Sequence, residues 1–255
     1  MKLATWNVAL PVAAARRTAI RAWIERISAD VLVLTETHDG FNPGYAYSCS
    51  SAPGRDGLHR PSHRWVSIWS KHALEPIPTS DRERTAAARV HPEAGQAFLV
   101  YGMVLPSVGS TWRGFPARGG TAFGEALRLQ SSDWTQLRRR FPDDEFFVLG
   151  DFNQDLVDRR YCGTKKTKAL LSAALEAANL VAHTGGDSDP VRRNSPPFAC
   201  IDHICGLKDS KWRAIVTSRW PDSPRPEKSL SDHFGIAVTL AKSDTFPIPK
   251  PRESD

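Results

Sequence analysis

Five short stretches of this 255-residue chain set acid, amide or imidazole groups at the ends of apolar runs. Gly150-Asp151-Phe152-Asn153 closes Phe146-Phe147-Val148-Leu149. Asn7 follows Ala4-Thr5-Trp6, and Glu36 follows Val31-Leu32-Val33-Leu34-Thr35. Asp202 and His203 follow Cys200-Ile201, and Ser231-Asp232-His233 immediately precedes the run Gly235–Leu240. Asp and Glu can hold a metal or a proton, and Asn can donate to a developing oxyanion without adding charge. Taken singly, each is also a strand end running into an Asx-turn. Taken together they carry a cost, because burying even a neutral polar group without a partner is unfavourable by roughly 2–7 kcal/mol. So many acids at apolar strand ends must be paired, hydrated or holding a cation, and convergence on one site is the economical explanation.

The elements that would position these groups follow from periodicity. Lys2–Val8 reads as a strand. Pro11–Ser28 reads as a helix, with Ala13, Ile20, Trp23, Ile24 and Ile27 on one stripe and Arg16, Arg17, Arg21 and Arg26 on the wet face. Val31–Glu36 is a fully buried strand, so the strand–helix–strand order implies a parallel pair or a mixed sheet. Trp65–Trp69, Ala87–Val90 and Ala97–Leu105 read as an antiparallel portion. Thr121–Arg140 and Lys165–Ala178 read as helices, and Cys200–Cys205 and Gly235–Leu240 as the last strands. Asp39–His63, Pro106–Gly120 and Gly185–Pro197 read as loops. Strand alternation puts Asp202 and His203 on opposite faces, so Asp202 is assigned to the site and His203 to packing. Asp232 and His233 precede their strand, where a turn can aim both inward. Asp155 reads as either a supporting or a solvated acid, Arg138-Arg139-Arg140 as a solvated helix end, and Trp112 and Trp220 as loop aromatics that pin their loops.

The composition narrows the class. With 40% hydrophobic and 24% charged residues, the chain can bury a large core, and one domain over residues 1–241 is expected, with a flexible, Pro-rich tail over 242–255. No apolar run approaches the ~20 residues of a membrane span. The opening residues read as a first strand rather than a secretory signal. Cys49, Cys162, Cys200 and Cys205 have neither CxxC spacing nor paired His ligands, which argues against structural zinc and for free thiols in a cytoplasmic protein. The net charge of +6 favours a polyanionic partner.

The segments TWN, LTET, GDFN, IDH and SDH, in that order from Thr5 to His233, resemble the endonuclease/exonuclease/phosphatase superfamily, the DNase I-like proteins. The resemblance implies an α/β fold: a four-layered sandwich of two mixed β-sheets flanked by helices. It implies Mg²⁺- or Mn²⁺-dependent phosphoester hydrolysis. Glu36 would be the principal metal ligand, assisted by Asn7 and Asp232. Asp151 would handle the proton of the attacking water or leaving oxygen. Asn153 would donate to a phosphate oxygen, and His233, oriented by Asp202, would bind the phosphate or act as base. Ala9 stands where abasic-site endonucleases have an Asp, and Val104 where family branches have Tyr or His. Arg113, Arg118 and Lys71 are the cations available to replace it. The expected function is a nuclease or other phosphodiesterase acting on nucleic acid, with Arg113, Arg118, Arg192 and Arg193 as substrate contacts and no evident protein partner. The alternatives are a phosphatase or phosphodiesterase for small molecules or lipid headgroups, and a non-catalytic scaffold that binds a phosphorylated partner.

Overall fold

The structure, a computed structural model, describes residues 1–54, 62–110, 120–157 and 161–242. In chain order its elements are β1 (Lys2–Asn7), α1 (Ala14–Ile27), β2 (Val31–His38), β3 (Tyr47–Ser50), β4 (His63–Ser70), β5 (Ala73–Ile77), β6 (Thr85–His91), β7 (Phe98–Val104), α2 (Gly120–Arg140), β8 (Glu145–Asp151), α3 (Lys165–Ala177), β9 (Leu180–Ala182), α4 (Pro190–Asn194), β10 (Asp202–Leu207), β11 (Trp212–Trp220) and β12 (Gly235–Lys242). One sheet has the order β11-β12-β1-β2-β4-β3, the other β5-β6-β7-β8-β10-β9.

Each sheet is built around one parallel pair made by a strand–helix–strand unit, β1-α1-β2 in the first and β7-α2-β8 in the second. The remaining pairings are antiparallel. The two inner faces pack on each other through residues such as Leu3, Val31, Val33, Val66 and Ile68 against Val100, Val104 and Phe147. On the outside of the first sheet, Ile20 and Ile24 of α1 cover Ala4, Trp6, Leu32 and Leu34. Phe123, Ala126 and Trp134 of α2 and Leu171 of α3 join the core around the second sheet. The result is the expected four-layered α/β sandwich. Gly102 marks where the sheets come closest: a Cβ there would lie 2.6 Å from Val66 Cγ1 and 3.1 Å from Val33 Cγ1.

Several elements differ from what periodicity suggests. Helix α1 begins at Ala14 rather than Pro11: Ala13 is still extended, with φ of -69° and ψ of 134°, after a turn in which Ala9 and Leu10 are left-handed, with φ of 44° and 52°. The expected loop 185–197 contains α4, which Asp189 caps through Val191 N and Arg192 N and which opens on Pro190. Strand β11 has no alternating pattern: it is an edge strand, mostly exposed, and its register slips between Ala214 and Val216. Trp220 ends that strand instead of lying in a loop, and stacks edge-on against Trp6 at 5.7 Å. Lys242, placed in a flexible tail, is the last residue of β12 and pairs with Trp212; residues 243–255 lie outside the described residues. All four cysteines are free, and no described helix is long and apolar enough to cross a membrane.

Candidate active site

Topology brings the polar strand ends to one edge. β1, β2 and β8 deliver their carboxyl ends, Asn7, Glu36 and Asp151. β10 runs antiparallel to β8, so its first residue, Asp202, pairs with Asp151. β12 runs antiparallel to β1, so the turn before it, carrying Asp232 and His233, arrives at the same edge. Six of the expected residues, Asn7, Glu36, Asp151, Asn153, Asp202 and His233, meet there.

The backbone is distorted where these groups project. Glu36 has φ of 50° and Asn153 of 48°, in the left-handed region that non-glycine residues rarely adopt and that recurs at functional sites. The β2–β4 ladder skips Glu36. Gly150 has φ of 141°, and a Cβ there would sit 2.0 Å from Met103 O, so only glycine lets β8 press against β7 just before Asp151.

Hydrogen bonds divide the site into two parts. In the first, Asn7 Nδ2 donates to Glu36 Oε1 (3.0 Å) and to Asp151 Oδ2 (3.1 Å). Asn153 donates its backbone N to Asp151 Oδ1 and its Nδ2 to Asp151 Oδ2, both at 2.9 Å. In the second, His233 Nδ1 lies 2.7 Å from Asp202 Oδ2. Asp151, Asp202 and His233 each offer a ligand atom, all within 4.8 Å of one another. His233 is held by its main chain: its N donates to Ser231 Oγ (3.0 Å) and its O accepts from Trp6 Nε1 (3.1 Å).

Electrostatics follow from burial and crowding. Burial pushes the Asp151 carboxyl up to about 7, helped by Asp202 and Glu36 and opposed by His233. Burial also raises Glu36, against the pull of the Asn7 hydrogen bond and the His233 charge. For His233 burial disfavours the charged ring, yet Asp202 and Asp151 outweigh it and lift the imidazole to about 10. The two acids thus favour the charged form of the His233 ring over the neutral one.

The geometry around three of the expected residues is specific. Asn7 was expected to offer its oxygen to a metal. That oxygen accepts from Ala9 N (2.9 Å), and the nitrogen faces the two acids, so Asn7 cross-links them. Asn153 was expected to donate to phosphate; its amide is engaged by Leu105 O (2.9 Å) and Asp151, so it orients Asp151. Asp232 is exposed beside the site, close enough to act on Glu36 and Arg16 electrostatically.

Of the expected substrate arginines, the two that are described, Arg192 and Arg193, lie on α4 rather than in the cluster. Arg193 donates to Thr217 Oγ1 (2.6 Å) on β11, and Arg192 lies beside it on α4. Arg113 and Arg118 lie outside the described residues. Lys71 is at the opposite end of the sandwich, bonded to Ser28 and Asp30, so it does not replace the polar side chain missing at Val104. His203 is buried on the far face from Asp202, with Nε2 2.9 Å from Gln154 O and Nδ1 3.2 Å from Thr184 Oγ1.

Three further residues brace the site. Ser231 Oγ donates to Asn7 O (2.6 Å) and joins β1 to the His233 turn. Asp155 is fully buried rather than solvated. It accepts from Val157, Tyr161 and Cys162 N and pairs with Lys168 Nζ at 2.6 Å, holding the loop beyond Asn153. Arg16, placed on the wet face of α1, donates to three carbonyls at the site's edge. A cation in the first turn of a helix was the available signal for it.

Residues 4–233 match the profile of the Endonuclease/Exonuclease/phosphatase family. No curated protein gives a significant match. Among solved structures, the human Nocturnin catalytic domain with a bound sulfate anion aligns over 95% of this chain and 93% of its own, with TM-score 0.65 and 15% identity. A 3'-5' exonuclease from Neisseria meningitidis aligns over 94% and 99%, with TM-score 0.62 and 16% identity. An endonuclease/exonuclease/phosphatase from Beutenbergia cavernae DSM 12333 aligns over 95% and 71%, with TM-score 0.62 and 15% identity. These likenesses are of fold. With the profile spanning nearly the whole chain over a double sheet whose strand ends meet in one acidic cluster, the chain belongs to the endonuclease/exonuclease/phosphatase family.

Proposed function

We propose that this chain is a divalent-metal-dependent phosphodiesterase acting on nucleic acid. The observation that carries the reading is the placement of the Asp202–His233 pair within reach of Asp151, at the sheet edge where Asn7 ties Asp151 to Glu36. The donor set suits Mg²⁺ or Mn²⁺, whose preferred ligands are oxygens. Asp202 Oδ1 is buried with no hydrogen-bond partner among the described residues, an unmet acceptor of the kind a cation satisfies. Glu36 is the principal candidate ligand, with Asp202 Oδ1 within the site and Asp232 at its rim. When bound, such an ion supplies counter-charge to the phosphate and the leaving oxygen.

The chain's own groups divide the remaining work. Asp202 fixes the His233 ring through Nδ1, which leaves Nε2 to donate to a phosphoryl oxygen. Asp151, with its carboxyl raised towards neutrality, takes the proton of the attacking water or returns one to the leaving oxygen. Asn7 and Asn153 hold Asp151 in place. The net charge of +6 supports a polyanion as substrate, with Arg192, Arg193, Arg113 and Arg118 proposed to contact it.

A second reading, a phosphoesterase for small molecules or lipid headgroups, is favoured by one observation: Val104 and Leu105 at the end of β7 are buried and apolar, so that strand end offers the site no polar side chain. Turnover of bis-p-nitrophenyl phosphate, p-nitrophenyl phosphate and single-stranded DNA across a salt series separates the two. The first reading predicts diester preference and DNA cleavage that falls steeply with salt. Monoester preference, or activity on sugar and choline esters indifferent to salt, supports the second.

A further inference from the structure

Arg16 stands in the first turn of α1, where the helix dipole disfavours a cation. That turn contains no acidic residue, and Ala13 gives no side-chain cap. The guanidinium leaves the helix and reaches main-chain oxygens from two separate segments. Nη2 donates to Val8 O (2.9 Å) and Nη1 to Ala9 O (3.1 Å), while Nε donates to Leu230 O (2.7 Å). Both segments lead directly to the site.

On one side, Arg16 grips the turn in which Ala9 and Leu10 are both left-handed. Leu10 N donates to Glu36 O at 2.7 Å, and Glu36 is itself in the left-handed region. On the other side, Leu230 precedes Ser231, whose hydroxyl joins Asn7 O to His233 N. The charge also faces Asp232 and Glu36. A planar fork can serve three carbonyls at fixed angles, which a lysine ammonium cannot reproduce.

We propose that Arg16 is a positioning residue that locks the Glu36 backbone and the Ser231–His233 turn to each other, and so sets the affinity of the site for a divalent cation. This rests on the metal-dependent reading above. The test is Mn²⁺ titration of the full chain, followed by electron paramagnetic resonance of the free ion, for wild type, Arg16→Met and Arg16→Lys. Thermal unfolding and amide exchange are measured on the same metal-free proteins. Arg16→Met is expected to weaken Mn²⁺ binding roughly 10–100-fold, the range for partners that orient metal ligands. Arg16→Lys should fall between it and wild type. Exchange at Leu10 and His233 should speed up in both variants, with Ile24 in the body of α1 unchanged.

Folded variants that bind Mn²⁺ as tightly as wild type would overturn the role of Arg16 alone, even with a lower unfolding midpoint. A wild-type chain that binds no Mn²⁺ would overturn the metal-dependent reading and this inference together. If Arg16→Met does not fold, Arg16→Lys decides: unchanged Mn²⁺ affinity overturns the proposal, and weakened affinity with native unfolding supports it.

Discussion

His233 sits 2.7 Å from Asp202 and within 4.8 Å of Asp151, and both acids favour its charged form. Asp202 is the stronger influence raising the ring, against burial. Replacing it by Asn should lower the His233 midpoint in metal-free protein by about 1–3 units, the usual effect of one adjacent opposite charge. The His233 ring protons, followed by NMR from neutral to alkaline pH, report this directly; a midpoint still near the wild-type value of about 10 would refute the pairing. The linkage has a definite sign. The folded value lies above the ordinary His value, so the stability from charging the ring is full below about pH 6.5. It is lost as pH rises through the folded midpoint. The stability gap between wild type and Asp202→Asn should therefore narrow with rising pH across that window. Residue identities were readable here because a carboxylate at a buried strand end demands a partner. Orientation was not: nothing in the spelling Asn7 or Asn153 says which end of the amide faces the acids.

Buried strands and long amphipathic helices were readable from composition, since β1, β2, β8 and β12 are apolar on both faces and α2 keeps its stripe. Edge strands were not. β11 is exposed along most of its length and broken by a bulge, and β3, β5 and β9 are short or exposed, so tertiary pairing rather than pattern makes them strands. How the two sheets meet was equally hidden, because it depends on one missing side chain. Gly102 lets Val66 and Val33 of the facing sheet close over β7. Gly102→Val should destabilise the protein by about 1–3 kcal/mol through overpacking, read as a shift in urea midpoint with unchanged slope. A neutral result would mean the sheets are not in contact there.

The whole molecule works as two sheets that each bring half of a site to a shared edge. Glu36 and Asn7 come from the first sheet, Asp151 and Asp202 from the second, and His233 from the turn leading back into the first. Family membership and the acidic cluster were legible from five short motifs because each sets its polar groups at the end of an apolar strand or in the turn before one, and those ends share one edge. Substrate choice was not legible, since Val104 presents only an apolar side chain and Arg113 and Arg118 lie outside the described residues. Whether this cluster cuts phosphodiesters with the help of a divalent ion is open to a single assay. Cleavage of a fluorescently labelled oligonucleotide is followed in Mn²⁺ and in excess EDTA for wild type, Asp151→Asn and His233→Ala, each checked for native unfolding. Wild type should cleave in Mn²⁺ only, and each variant should lose roughly 10²–10⁴-fold, as expected for removal of a proton-transfer group. Variants that cleave as fast as wild type, or wild-type cleavage indifferent to EDTA, would contradict this role of the cluster.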